Sequence, residues 1–425
     1  MTPSRVLLLE AAGPESTALA AAAVASGHQV HAATDPTTHA TYPPDLKALL
    51  TGSLLTDFTR PGQALNDIIG YARRIGANAL LTANEYLTEL LAHACAALGL
   101  PGNDPDRAHA ARNKAAMSEA FAAHGIAAPR TRIAGDEDAL RRLLAAGKIG
   151  FPCVVKPADA AGSAGVTIAR TPAEAVTAWR AARAVRGMYG LPLDSRVLVQ
   201  EYADGTEYSV ESVTQDGQAA HLCTTAKTVT AGMHRVETGH SLPAALPLHL
   251  EHAVHRQVER AIAAAGIQNG ASHTEVIVSP DGRCTVIEIA ARLGAGHIGF
   301  LLQHALGIDP WTALWDTALG RPADLTPTRR AHAAVRFLTA PGTGRLAAVH
   351  GLPQPGPGIP AVHLRRAVGE RVEAPRANRG RLGHFIVTSP DAAAAERRAD
   401  HLLAQVTIQV TPEEAVQPKR VGAGT

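Results

Sequence analysis

The chain has 425 residues, too many for one hydrophobic core, and a prior of about 100 to 200 residues per domain divides it into two to four. Forty Lys plus Arg against 38 Asp plus Glu leave a formal charge of +2; with no long basic run and 4% aromatic residues, the composition argues against a nucleic-acid partner. The apolar runs are interrupted and alanine-dominated, so neither a membrane span nor a secretory signal is predicted. Cys95, Cys153, Cys223 and Cys284 lack metal-site spacing and suit free thiols in a reducing cytoplasm.

The first hundred residues alternate as an open α/β unit. Strands are predicted over 6–9, 29–33 and 79–82, with an Ala-rich helix ending at Ser26, a helix over 63–75 and a helix over 85–98 stopped by Gly99. Only Gly13 stands where a dinucleotide-binding G-x-G-x-x-G loop needs three glycines, so that reading fails. Thr82, Asn84 and Glu85 follow a strand at its carboxyl end, where parallel sheets bind ligands, and equally suit capping of the next helix. A boundary falls at Asn103 to Pro105, and a helix over 108–124 then carries Arg112, Asn113 and Lys114.

A short apolar strand over 151–155 delivers Lys156 and Pro157. Small residues from Ala158 to Val166 follow, including Gly162, Ser163 and Gly165, whose backbone N–H groups can converge on phosphate oxygens beside a mobile ammonium. A helix over 172–186 and a strand over 196–200 lead to QEYADGTEYSVE, which bends at Gly205 between Glu201 and Glu207. A strand over 219–225 leads to Lys227, and the polar, small-residue segment 233–243 holds Arg235, Glu237, Gly239 and His240. A helix over 248–265 comes next, and helices from Gly299 and over 311–319 complete this region. GLPQPGPGIP at 351–360 cannot be regular structure; short strands over 362–364, 371–374 and 383–389 and a helix over 391–404 follow it.

Between those helices lies SHTEVIVSPDGRCTVIEIAARLGAG, Ser272 to Gly296. Two β-forming runs, 274–279 and 283–289, flank a turn made by Pro280, Asp281 and Gly282. With the turn centred on Asp281 and Gly282, counting places Glu275 opposite Glu288. Carboxylates about 5 Å apart repel by about 3 kcal/mol at an effective dielectric of 20, and a hard divalent cation held by both is the economical way to offset that. Alternation puts His273 and Ile277 on the face of Glu275, and Glu288 on the face of Val286 and Cys284.

Together these segments resemble the ATP-grasp superfamily of ATP-dependent carboxylate-amine ligases, and within it the bacterial L-amino acid ligases that make dipeptides. The resemblance covers most of the chain and is strongest over 113–296. It implies an ATP-grasp fold of α/β and α+β composition: an N-terminal open α/β (pre-ATP-grasp) domain at 1–103, an ATP-grasp domain at 104–330 with lobes at 104–200 and 201–330, a small C-terminal α+β cap domain at 331–412, and a disordered tail at 413–425.

By the same resemblance, Lys114 in RNKAAM and Lys156 in FPCVVKPADAAGSAGV bind the phosphates of ATP under a lid containing Gly162, Ser163 and Gly165. Glu201 and the backbone of Tyr202 and Ala203 face adenine, Glu207 faces the ribose, and Lys227 is a further phosphate contact. Glu275 and Glu288 ligate Mg²⁺. Arg292 and Lys156 act in catalysis, Arg292 on the acyl phosphate or substrate carboxylate. VETGHSLPA matches an E-x-G-H motif that places Glu237 and His240 at the amino-acid pocket, with His273, Gly294 and Gly296 beside it.

Many members carry Asn where this chain has Ala290, which leaves one or two Mg²⁺ ions, with Mn²⁺ as a substitute. The implied reaction forms an amide through an acyl phosphate and releases ADP and phosphate. Its substrates are a small-molecule carboxylate and an amine: two amino acids, or an amino acid and a specialised-metabolite amine. A ligase acting on a phosphoribosyl amine or another pathway acid is the alternative; a non-catalytic ATP-binding module is disfavoured because the lysines, metal acids and Arg292 are all retained. A cytoplasmic protein is expected, with neither nucleic acid nor membrane as partner; a homodimer is common in the family it resembles, and the sequence leaves the oligomeric state open.

Overall fold

The structure, a computed structural model, describes residues 3–412; the tail expected at 413–425 lies outside the described residues. The apolar runs RVLLL and QVHAAT form neighbouring parallel strands, Arg5–Leu9 and Gln29–Thr34, flanked by Leu50–Leu55 and Ala79–Leu81. Successive leucines Leu7, Leu8 and Leu9 are all fully buried, as expected of a parallel strand covered on both faces. Pro14 and Pro61 open the helices Pro14–Ala25 and Pro61–Ile75, where a missing N–H leaves no hydrogen bond unmade.

The next lobe is a four-stranded antiparallel sheet in the order Thr131–Ala134, Val197–Glu201, Cys153–Pro157, Thr167–Ala169. Helices Glu137–Ala145 and Pro172–Arg183 cover it around a core with Val155, Trp179 and Val199.

An eight-stranded antiparallel sheet forms the body of the molecule. Its order is Cys284–Ala290, Gly270–Val278, Thr206–Gln215, Gln218–Val229, Glu237–Leu242, His332–Thr339, Arg381–Ser389, Ala361–Leu364. Three strands from 332 onward therefore continue the sheet begun at Thr206, whereas Arg371–Val372, Gly344–His350 and Thr407–Thr411 form a separate three-stranded sheet. Helix Leu248–Ala264 packs Val254 and Val258 against Val276 and Val286 of this sheet. Helices Ile298–Leu306 and Pro310–Ala318 bring Leu301 and Trp315 into one core with Leu19 and Val30 of the N-terminal unit and Phe337 and Ile386 of the C-terminal strands. All four cysteines are free thiols, and among the described residues no helix is long and apolar enough to cross a membrane.

Three local readings are corrected. The helix expected over 108–124 breaks into a 3-10 turn, Ala108–Ala111, and helix Lys114–Ala123. Asn113 ends the first and caps the second, its Oδ1 accepting from the N–H groups of Ala115 and Ala116 at 3.0 and 3.2 Å, and this puts Lys114 at the first helical position. Within 233–243, Glu237–Leu242 is a strand paired on both edges; its polar residues gave no apolar alternation because their side chains bond within the site and the sheet.

In the hairpin, Glu275 and Glu288 are partners, but by an unexpected route. Near the turn the pairs are Val278↔Cys284 and Val276↔Val286, one step from the counted register, and an extra residue at Ile287 restores Glu275↔Glu288. That bulge turns Glu288 away from Val286 and Cys284, which pack beside helix Leu248–Ala264, and onto the face of Glu275.

Candidate active site

A cavity of about 480 Å³ opens between the two antiparallel sheets and the carboxyl end of the parallel one. On its wall stand Lys114, Lys156, Gly162, Ser163, Glu201, Tyr202, Ala203, Glu207, Glu237, His240, His273, Glu275, Glu288 and Arg292. Four expected residues stand behind the wall. Gly165 (φ 74°) packs on Pro157 and Val185, Lys227 lies under the glutamates, Gly294 donates its N–H to Glu211, and the Gly296 carbonyl faces His240 at 3.1 Å.

The site is an array of buried, mostly paired charges. Lys114 Nζ meets Glu288 at 2.9 Å and donates to the Ala160 carbonyl at 2.7 Å; burial opposes its charge, but Glu288 and Glu85 outweigh burial and raise its pKa. Lys227 Nζ lies 2.9 Å from both Glu207 and Glu237 and also bonds Glu275; these three acids overcome burial and hold it well above the usual lysine range. Glu275 is lowered in turn, Lys227 and His273 outweighing its burial.

Lys156 differs. It is 4% exposed, and no partner lies within bonding distance among the described residues. Burial holds its ammonium down to about 8, with Glu288 opposing and Lys114 adding to the drop.

On the strand beside the hairpin, Glu211 is fully buried and lies 2.6 Å from His273 Nδ1, while His273 Nε2 lies 3.3 Å from Glu275. Two flanking carboxylates outweigh burial and raise His273 to about 9. The Gly294 N–H also donates to Glu211, at 2.8 Å, so one carboxylate fixes both the histidine and the loop that follows Arg292. From the N-terminal unit, buried Glu85 pairs with Arg292, whose other arm donates to the Leu293 carbonyl at 2.9 Å.

Residues 149–300 match the family described as ATP-grasp domain, and residues 336–411 match L-amino acid ligase C-terminal domain 2. The chain carries an ATP-grasp domain over 149–300. Dapdiamide A synthase of Enterobacter agglomerans is 31% identical over 251 residues, 56% of this chain and 57% of that one. The alanine–anticapsin ligase of Bacillus subtilis is 26% identical over 287 residues, 63% and 60% of the two chains. The matches thus span less than two thirds of the length of these curated relatives. In fold, the chain is similar to the crystal structure of an L-amino acid ligase from Bacillus licheniformis, with a TM-score of 0.79 and 19% identity over 96% of this chain and 99% of that one.

For an ATP-grasp domain, the donors of the hairpin fit a hard divalent cation. Glu275 and Glu288 face each other across the ladder and offer oxygen donors, while the oxygens of Glu207, Glu237 and Glu275 that lie within 4.8 Å of one another are bridged by the Lys227 ammonium. Ala290 also lines the cavity and offers no side-chain oxygen. On either side of the bend at Gly205, Glu201 is held by Arg130, and Glu207 reaches back to Lys227 and toward Arg235 at 3.8 Å.

In the sequence Glu85 stands only as a capping or ligand-end candidate, and Glu211, Asn378 and Arg381 carry no assigned role. Parity offered a signal for Glu211, which shares a strand face with Glu207. No sequence signal marked Asn378 or Arg381, which reach Glu237 across 141 and 144 residues.

Proposed function

We propose that this ATP-grasp protein is an ATP-dependent carboxylate-amine ligase that joins two amino acids, or an amino acid and another small amine, through an acyl phosphate. The observation that carries the reading is the convergence of Lys114, Lys156, Arg292 and the Glu275–Glu288 pair on one cavity closed by a glycine-containing loop. Similarity to proteins named dapdiamide A synthase and alanine–anticapsin ligase agrees with it.

In this reading Lys156 offers an unpaired ammonium to the triphosphate, and Lys114, fixed by Glu288 and the Ala160 carbonyl, offers a second. The Gly162 and Ser163 backbone, both at left-handed φ, covers the phosphates. A substrate carboxylate oxygen attacks the γ-phosphorus and ADP leaves; an amine then attacks the acyl carbonyl and phosphate leaves. Glu275 and Glu288 would hold Mg²⁺, which would supply charge neutralisation for the phosphoryl group. Arg292 can hold the transferring group with two parallel donors, which a lysine cannot reproduce. Such chemistry rests on positioning and charge more than on a strong base, and the lid keeps water from the acyl phosphate.

The test is ADP and phosphate release with Mg²⁺ and ATP across single and paired amino acids, with mass spectrometry of the products. Release that requires particular pairs and yields a peptide mass is expected. ADP formation that never yields an amide would overturn the reading.

A further inference from the structure

Asn378 and Arg381 belong to no motif, yet both grip the glutamate of the E-x-G-H segment. Asn378 opens a single 3-10 turn, Asn378–Gly380, and Arg381 begins the strand after it. Asn378 Oδ1 accepts the Glu237 N–H at 3.1 Å, and its Nδ2 donates to Glu237 Oε2 at 3.0 Å. Arg381 donates Nε to the Glu237 carbonyl at 3.1 Å and Nη2 to Oε2 at 2.7 Å. Lys227 lies 2.9 Å from Oε1, and His240 3.3 Å from Oε2. Glu237 is thus satisfied on its backbone and on both side-chain oxygens, which leaves it poorly placed to receive a substrate ammonium. It serves instead as the hub that fixes Lys227 and His240. The same Asn378 gives its own N–H to the carbonyl of Gly162, in the lid loop, at 3.0 Å.

We propose that Asn378 and Arg381 are positioning residues that hold Lys227 and His240 through Glu237, and that Asn378 makes this arrangement conditional on the lid being down. The substrate side of the proposal rests on the ligase reading above. Charge-assisted hydrogen bonds are strong only in good geometry. Lifting Gly162 off the turn removes one of the contacts that hold Asn378 against Glu237. The amine side of the cavity is therefore completed as the triphosphate is covered, so that the acyl phosphate forms beside an ordered pocket.

The test compares Asn378→Asp and Asn378→Ala in the full chain. If Asn378 merely fills space, the isosteric Asp is the milder change. If it positions Glu237, Asp is the worse one, because it sets an anion against Oε2. The expected result is a drop of about tenfold in kcat/KM for the amine with Ala, the size of one lost charge-assisted hydrogen bond, a larger drop with Asp, and more ADP formed per product in both.

Hydrogen exchange with ADP and Mg²⁺ supplies the second readout. Peptides over 158–166 and 376–382 should gain protection together in the wild type, and the lid should gain less in the Asp variant. Asp milder than Ala, or lid protection equal in all three proteins, overturns the proposal. Arg381→Lys keeps the charge over Phe337 and removes a donor, so it should raise KM for the amine and leave KM for ATP within about twofold; an unchanged amine KM counts against the proposal. The exchange arm needs only nucleotide binding. A protein that binds nucleotide but joins no amino acids would therefore refute the ligase reading while the exchange still decides the coupling.

Discussion

Lys156 shows what the site costs the fold. A buried ammonium without a partner, held down from 10.5 to about 8, opposes folding at neutral pH, and at about 1.4 kcal/mol per pH unit the penalty is on the order of 3 kcal/mol. Lys156→Met is therefore expected to raise the melting temperature of the nucleotide-free protein while weakening ATP binding, which calorimetry and nucleotide titration would measure. The folded pKa lies below the unfolded one, so the unfolded chain binds the extra proton between about 8 and 10.5 and wild-type stability recovers as pH rises through that window. The advantage of the Met variant should narrow there, and a constant gap would contradict the buried-charge account. Glu288→Ala and Arg292→Ala should each cut ADP formation at least about a hundredfold with the circular dichroism spectrum unchanged; a folded, active Glu288→Ala protein would remove the metal assignment. At this scale Lys156 and the hairpin acids were legible, because each stands at a strand end or opposite a counted partner, whereas Lys114, expected inside a helix, took its role from the family resemblance alone. Glu85 was not, since its partner Arg292 lies 207 residues away.

Strand Glu237–Leu242 explains why its motif contains glycine. A Cβ on Gly239 would meet the Val335 carbonyl and Arg336 Nη1, both at 2.9 Å, so the neighbouring strand could not approach as it does. Gly239→Ala should lower stability by about 1–3 kcal/mol in urea titration and displace His240, raising KM for the amino acid; an unaltered unfolding midpoint would show that the strands can separate freely. The hairpin was readable from Pro280, Asp281 and Gly282, which left little choice of turn, whereas the bulge at Ile287 was not, because no residue there demands it. Asn113 did carry a capping signal, and the apolar periodicity of the flanking alanines concealed it.

The small lobe reaches back to the N-terminal unit through the segment that carries Tyr189 and Leu191. Tyr189, at φ 56°, accepts a hydrogen bond from Asn84 Nδ2 at 2.6 Å and packs on Phe58 with ring centres 5.5 Å apart, while Leu191 joins the same core. Tyr189→Ala should free this strap: limited proteolysis of the nucleotide-free protein should cut at 184–196 several times faster, and nucleotide should restore protection. Equal cleavage rates with and without the ring would mean that the lobe is held elsewhere. The order of units along the chain was legible because each has its own periodicity. The continuity of the large sheet was not, since pairing between Glu237–Leu242 and His332–Thr339 joins segments separated by a hairpin and three helices. That continuity governs how such a chain can be recombined. A crossover between 243 and 331 would force strands of two parents to pair in the middle of a sheet, directly behind His240. Chimeras that inherit both strands from one parent keep the pocket, and those that divide them acquire a new specificity or no fold at all.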